Sequence, residues 1–204
     1  GPRSHLKNSP RLILASTSVY RRALLERLGL PFEVFAPNVD ETALPGEPAI
    51  RTALRLAELK SEAVAPAAGR AALVIGSDQV AVLDAQILGK PGDHVTACAQ
   101  LRAMRGKSVV FNTALCLFNA ASGGKQLANI PTTVFFRNFS DAQIEHYLRT
   151  EQPYDCAGSA KIEGLGIALV ERIDSEDPTA LIGLPLMRLT TMLKNEGIEV
   201  IPGP

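Results

Sequence analysis

The chain has 204 residues, with 21 Lys and Arg against 21 Asp and Glu, three His, three Cys and no Trp. A net charge of zero argues against a protein that coats nucleic acid by bulk electrostatics, and 46% hydrophobic with 21% charged residues argues against wholesale disorder. An odd cysteine count without a CxxC pair gives neither a disulfide framework nor a zinc-ribbon pattern, so a reducing cytoplasm is the expected location, and no apolar run approaches the ~18 residues of a membrane span.

Gly1 to Ser9 is polar and patternless and reads as a tag remnant, which leaves 10–204 as one domain in two lobes. Arg11 to Ala15 reads as a buried strand and Val19 to Leu28 as a helix, with Ser18 as its N-cap and Gly29 past its end. Phe32 to Phe35 follows as a strand, and Asn38 to Pro48 as an acidic loop. Ala49 to about Ala65 is the longest helical pattern, with Pro66 expected to stop it. Ala71 to Ile75 reads as a central strand that ends before Gly76-Ser77-Asp78-Gln79, and Val80 to Leu83 as a second apolar stretch. A helix capped by Asp93 runs to Met104. Lys107 to Phe118 and Thr132 to Phe136 form a hairpin, and Ser140 to Gln143 is a capping box. Gly166 to Ile173 is a last strand and Pro185 to Asn195 a last helix. Strands alternating with helices predict an α/β fold.

The chain lacks a GxxxxGK(S/T) loop, a GxGxxG turn, a GxSxG elbow and an HExxH helix. His5 falls in the tag remnant, and His94 and His146 read as solvent-facing positions on amphipathic helices. Four segments remain. Ser16, Thr17 and Ser18 precede a helix start followed by Arg21-Arg22, a chemistry suited to phosphate; the alternative is a capped surface helix with solvated arginines. Asp78, just past an apolar strand, is a candidate base or a turn-capping carboxylate. Lys90 stands in Gly89-Lys90-Pro91, while Lys60 falls on the apolar stripe of its helix, where a charge needs a partner or a route to water. Cys156 to Gly166 carries three glycines and Glu163, as a ligand-approach loop or a flexible connector would.

Taken together these segments resemble the Maf family of nucleoside triphosphate pyrophosphatases. Leu14-Ala15-Ser16-Thr17-Ser18-Val19-Tyr20-Arg21 resembles the family's LAS-x-SP-x-R. Val39-Asp40-Glu41 is similar to its VDE, Arg55-Leu56-Ala57 with Lys60 to its RLA-xx-K, Gly89-Lys90-Pro91 to its GKP, and Gly183-Leu184-Pro185 to its GLP. Val19 and Tyr20 depart from the usual Pro and Trp. Ser77-Asp78-Gln79 and Glu163 are similar to the branch that hydrolyses 7-methyl-GTP rather than to the dTTP/UTP branch.

The resemblance implies a Maf/inosine-triphosphatase-like α/β fold, with an elongated mixed sheet, flanking helices and two lobes around a cleft. It implies hydrolysis of 7-methyl-GTP to 7-methyl-GMP and diphosphate. Asp78 would be the general base, and Ser16, Arg21, Lys60 and Lys90 would hold phosphate. Tyr20, Gln79 and Glu163 would read the base, and a divalent cation (Mg²⁺ or Mn²⁺) would be held by Glu41, with Asp40 left open between a metal and a structural role. A small-molecule nucleotide is the expected partner, with no nucleic acid, no membrane and a homodimer as in relatives. The alternatives are a dTTP/UTP pyrophosphatase and a nucleotide-binding regulator of cell division without catalysis.

Overall fold

The computed structural model describes residues 10–69 and 71–204, so the tag reading of Gly1 to Ser9 lies outside the described residues. In chain order the elements are β1 (Arg11–Ala15), α1 (Val19–Glu26), β2 (Glu33–Phe35), α2 (Ala49–Ala68), β3 (Ala72–Leu83), β4 (Gln86–Leu88), α3 (His94–Met104), β5 (Ser108–Asn119), β6 (Lys125–Phe136), α4 (Asp141–Glu151), β7 (Val170–Ser175) and α5 (Leu186–Asn195). The α/β expectation holds. One seven-stranded sheet has the order β2-β1-β3-β5-β6-β7, with β4 paired to β3. β1 lies parallel to β2 and β3, and the remaining pairs are antiparallel.

Two large cores occupy different parts of this sheet. One gathers Leu12 and Leu14 of β1, Leu24 and Leu25 of α1, Leu73 and Ile75 of β3, Leu115 and Leu117 of β5, and Leu189 and Leu193 of α5. The other gathers Ala81 and Leu83 of β3, Leu101 and Met104 of α3, Phe111 of β5, and Ile144, Tyr147 and Leu148 of α4. The long strands β3 and β5 therefore run from one core into the other. This is the expected two-lobed arrangement.

α2 packs on the sheet through small residues. Ala53 and Ala57 meet Val80, Ala114 and Cys116 in a thin layer of their own. Gly76 makes this approach possible, because a Cβ there would lie 2.0 Å from the Ala57 carbonyl oxygen. The close helix–sheet contact sets how near Lys60 comes to Asp78.

Several boundaries differ from expectation. β3 does not end at Ile75 but continues through Asp78 to Leu83, because β5 pairs with it from Leu73 to Val82. β1, by contrast, pairs with β3 only as far as Ile75. Asp78 thus sits mid-strand, just beyond the end of a shorter parallel neighbour, and the strand-end crevice lies there all the same. Pro66 does not stop α2, which runs to Ala68. A proline in the last turn forfeits one N–H bond, and the stop comes at Gly69, with φ of 90°. β6 begins at Lys125 rather than Thr132 and passes through Pro131. β7 reaches along β6 only to Thr132, so Pro131 stands at a sheet edge that tolerates it. Gly166 to Leu169 is not strand: Leu165–Leu169 forms a 3-10 turn and β7 starts at Val170.

Candidate active site

A cleft of about 480 Å³ opens between the two cores, beside the end of β1. Ser16, Tyr20, Arg21, Glu41, Lys60, Asp78, Gln79, Lys90 and Glu163 all line it, so the structure brings these nine sequence candidates together and leaves Asp40 and Arg22 outside the lining.

Its floor is made by β3 and α2. Asp78 and Lys60 are both buried, and the Lys60 Nζ lies 3.0 Å from Asp78 Oδ1. The same ammonium lies 2.7 Å from Glu41 Oε1 and 3.4 Å from the Ser77 carbonyl oxygen. The charge on the apolar stripe of α2 thus has its partners. Burial raises the Asp78 carboxyl above its ordinary value, and the charges of Lys60 and Arg21 offset this only in part. Burial would also raise Glu41, but the hydrogen bond from Lys60 and the charges of Lys60, Lys90 and Arg21 bring it below its ordinary value. Asp40 stays outside the cleft lining, and its Oδ1 accepts from the Thr42 N–H at 3.0 Å, a turn-stabilising role.

The loop that carries Glu41 is anchored to α2. Glu47 accepts from Arg55 Nε at 2.7 Å, from Arg55 Nη2 at 3.0 Å and from the Thr52 hydroxyl at 2.7 Å, which holds its carboxyl down to about 2. Arg55 also donates to the Thr42 carbonyl at 3.1 Å. Arg55 of the RLA segment is therefore a loop anchor, and its partner Glu47 carried no sequence signal of its own.

One wall is the β1–α1 turn. Ser18 caps α1 by accepting from the Arg21 N–H at 3.3 Å, and the buried Ser16 hydroxyl oxygen accepts from the Ser18 N–H at 3.0 Å. The Val19 and Tyr20 N–H groups at the helix start have no intrahelical partner and suit an anion. Arg21 is turned into the cleft, where Nε donates to the Gly183 carbonyl at 2.8 Å, whereas Arg22 pairs at the surface with Glu26 at 3.5 Å. The GLP segment thus aims a guanidinium. Gly183 has φ of 136°, and a Cβ there would touch the Arg21 side chain at 3.4 Å.

The opposite wall carries Lys90, Asp155, Cys156 and Glu163. The segment around Glu163 is tied to α4: the Tyr147 hydroxyl donates to the Ser159 carbonyl at 2.5 Å and accepts from the Lys161 N–H at 2.8 Å. Glu151 accepts from the Leu165 N–H at 2.7 Å and pairs with Lys161 at 3.2 Å. The loop is pinned and is not a flexible connector. Partial burial, with Glu151 and Asp155 nearby, raises the Glu163 carboxyl despite Lys161. Burial and the same acidic wall raise the Tyr20 phenol. Asp155 lines this wall and passed unnoticed in the sequence, where it stands as one acid among loop residues.

Gln79 is less free than its place in the motif suggests. Its amide nitrogen lies 3.0 Å from Thr113 Oγ1, 3.2 Å from the Ala180 oxygen and 2.9 Å from the Leu181 oxygen. That nitrogen ties β3 to the segment before α5, so only the amide oxygen is left to face a ligand.

Residues 11–196 match the family model described as Maf-like protein. The chain belongs to the Maf family. A 7-methyl-GTP pyrophosphatase of Thiobacillus denitrificans is 62% identical over 198 residues, covering 97% of this chain and 98% of the relative. The corresponding protein of Cupriavidus metallidurans is 60% identical, covering 92% and 94%. Among solved structures, a nucleoside-triphosphatase (dITP/XTP pyrophosphatase) from Mycobacterium abscessus is 14% identical, with a TM-score of 0.43 over 92% of this chain and 96% of that one.

Proposed function

We propose that this Maf-family chain is a pyrophosphatase that hydrolyses 7-methyl-GTP to 7-methyl-GMP and diphosphate. The observation that carries the reading is the Asp78–Lys60–Glu41 chain at the floor of a cleft, its Asp78 and Lys60 buried and Glu41 at the mouth, with cationic groups around it and an acidic wall opposite. Relatives named for this activity, 62% and 60% identical over nearly their whole length, support it.

Tyr20 of α1, facing Asp155 and Glu163 of the opposite wall, suits the base with them. N7-methylation makes guanine cationic, and an aromatic face attracts a cation by about 0.5–2 kcal/mol. The Glu163 carboxylate can accept from N1–H and N2–H₂ together and complements the positive ring. Arg21, Lys60 and Lys90 supply charge for the triphosphate, with the α1 N-terminus and the Ser16 hydroxyl at one end. Asp78 then takes the proton of a water on a carboxylate oxygen as the water's oxygen bonds to phosphorus. The phosphoanhydride bridge breaks, and diphosphate leaves with the electron pair. Lys60 holds Asp78 in place and keeps negative charge at the floor compensated.

The donor set fits a divalent cation shared with substrate. Asp78 and Glu41 share one ammonium, each through one oxygen, and two carboxylates plus phosphate oxygens are the usual surroundings of Mg²⁺. Held by these two residues, Mg²⁺ or Mn²⁺ would neutralise phosphate charge and lower the pKa of a bound water.

The test is diphosphate release from 7-methyl-GTP, GTP, dTTP, UTP and CTP, with Mg²⁺, Mn²⁺ or chelator. Selective, metal-dependent turnover of 7-methyl-GTP is the expected result. Preference for UTP or dTTP would assign the chain to the other branch, and tight binding without product would favour a regulator.

A further inference from the structure

A second constellation of metal-ligating side chains lies outside the cleft lining. His94 and Cys98 are four residues apart on α3, so both project from one face of the helix. Glu145 of α4 faces them. Its Oε1 lies 2.8 Å from His94 Nε2 and 3.3 Å from Cys98 Sγ, and the three donor atoms all fall within 4.8 Å of one another. Its other oxygen is turned to Arg149 at 3.4 Å, which leaves Oε1 to the His and the Cys. Two hydrogens, on nitrogen and on sulfur, point at one carboxylate oxygen, which is the arrangement a cation adopts by replacing both.

We propose that His94, Cys98 and Glu145 form a binding site for a zinc-class transition-metal ion, distinct from the divalent site of the cleft. Ligand chemistry selects the class. A thiolate and an imidazole with one carboxylate suit Zn²⁺ and disfavour Mg²⁺ or Ca²⁺, which take oxygen. A tetrahedral ion with bonds of about 2.0–2.3 Å needs donors roughly 3.3–3.8 Å apart, so small side-chain rotations are enough. The imidazole is already oriented. Its Nδ1 lies 3.0 Å from the Tyr154 hydroxyl, the outer hydrogen bond that metal-bound histidines commonly make. Cys98 is buried, but the His94 and Glu145 side chains are 40% and 38% exposed, so water can complete the fourth position.

The site stands directly behind the cleft wall. His94 follows Lys90 by four residues, the Gly92 N–H donates to the Tyr154 carbonyl at 3.0 Å, and Tyr154 precedes Asp155 and Cys156 of the wall. A bound ion would brace α3 against α4 and hold that wall in place.

The test is a Co²⁺ titration of the chelator-treated protein, followed by Zn²⁺ displacement and a metal count. The expected result is one tightly held ion per chain with a thiolate-to-cobalt charge-transfer absorption that Zn²⁺ removes. Cys98→Ser should abolish that absorption, and His94→Ala and the more exposed Glu145→Gln should each weaken binding at least tenfold, while Cys156→Ser and Asp78→Asn leave it unchanged. Thermal unfolding of each variant without metal checks that it folds, and Zn²⁺ should raise the melting temperature of the wild type but not of Cys98→Ser. No charge-transfer absorption in the wild type, or its survival in Cys98→Ser, would overturn the proposal.

Discussion

Asp78 combines burial, which raises its carboxyl, with two cations that lower it, and burial wins. A general base acts only when ionised, so the acid limb of the pH profile of kcat/KM should follow this carboxyl: burial lifts it above the ordinary aspartate range of about 3.9, and a divalent cation held by Asp78 would draw it down as the cation's concentration rises. Removing the cation with Lys60→Met takes away a lowering influence and should shift that limb further to higher pH, as well as slowing turnover. A limb that stays put in Lys60→Met would mean that another group sets it. Asp78→Asn should cost roughly 10²- to 10⁴-fold in kcat with unchanged secondary structure, and near wild-type turnover would remove Asp78 from the reaction. On the opposite wall, Glu163→Gln replaces a double acceptor with one acceptor and one donor. A charged hydrogen bond contributes about 1.5–3 kcal/mol, so 7-methyl-GTP turnover should fall about ten- to a hundredfold more than UTP turnover. Equal losses on both substrates would sink the base-reading role.

At the scale of elements, the site depends on how closely α2 lies on β3. Gly76→Ala would put a methyl group 2.0 Å from the Ala57 carbonyl oxygen, and backbone must move to relieve it. The expected cost is about 1–3 kcal/mol of stability, with a loss of kcat as Lys60 is carried away from Asp78. Denaturant unfolding beside steady-state kinetics measures both, and an unperturbed variant would show that the helix has room to spare. This dependence also explains what the sequence revealed and what it hid. Short-range signals were legible: the Ser18 and Asp93 caps, the Ser140–Gln143 capping box and the apolar stripe of α2 all appear where expected. Lys60 on that stripe called for a partner or a route to water, and Asp78 and Glu41 are the partners it finds. The continuity of β3 through Asp78 was not legible, because Gly76-Ser77 reads locally as a break and only the pairing with β5 overrides it. The start of β6 at Lys125 was hidden in the same way, since a strand through Pro131 is tolerated only because β7 stops at Thr132. Asp155 became visible only when loops distant in sequence were brought together, and two of the contacts that occupy the Gln79 amide come from residues about a hundred positions away.

For the whole molecule, the decisive feature is that β3 and β5 belong to both cores, so the two walls of the cleft stand on common strands. Ser16 and Arg21 come from the β1–α1 turn, Lys60 from α2 and Lys90 from the loop after β4. The floor of the cleft is itself the stretch of β3 between the cores, paired throughout to β5. This architecture favours a preorganised site over one assembled by closing two independent units. It also makes a thermodynamic prediction. Leu189 on α5 and Leu101 on α3 are both fully buried, one in each core. Truncating either to Ala should cost about 2–5 kcal/mol. If the strands couple the lobes, Leu189→Ala and Leu101→Ala will each lower the same single unfolding transition, followed together by near- and far-UV circular dichroism. Two separated transitions, with each variant moving only one of them, would mean that the lobes fold independently and that the cleft is held open or shut by something other than its shared strands.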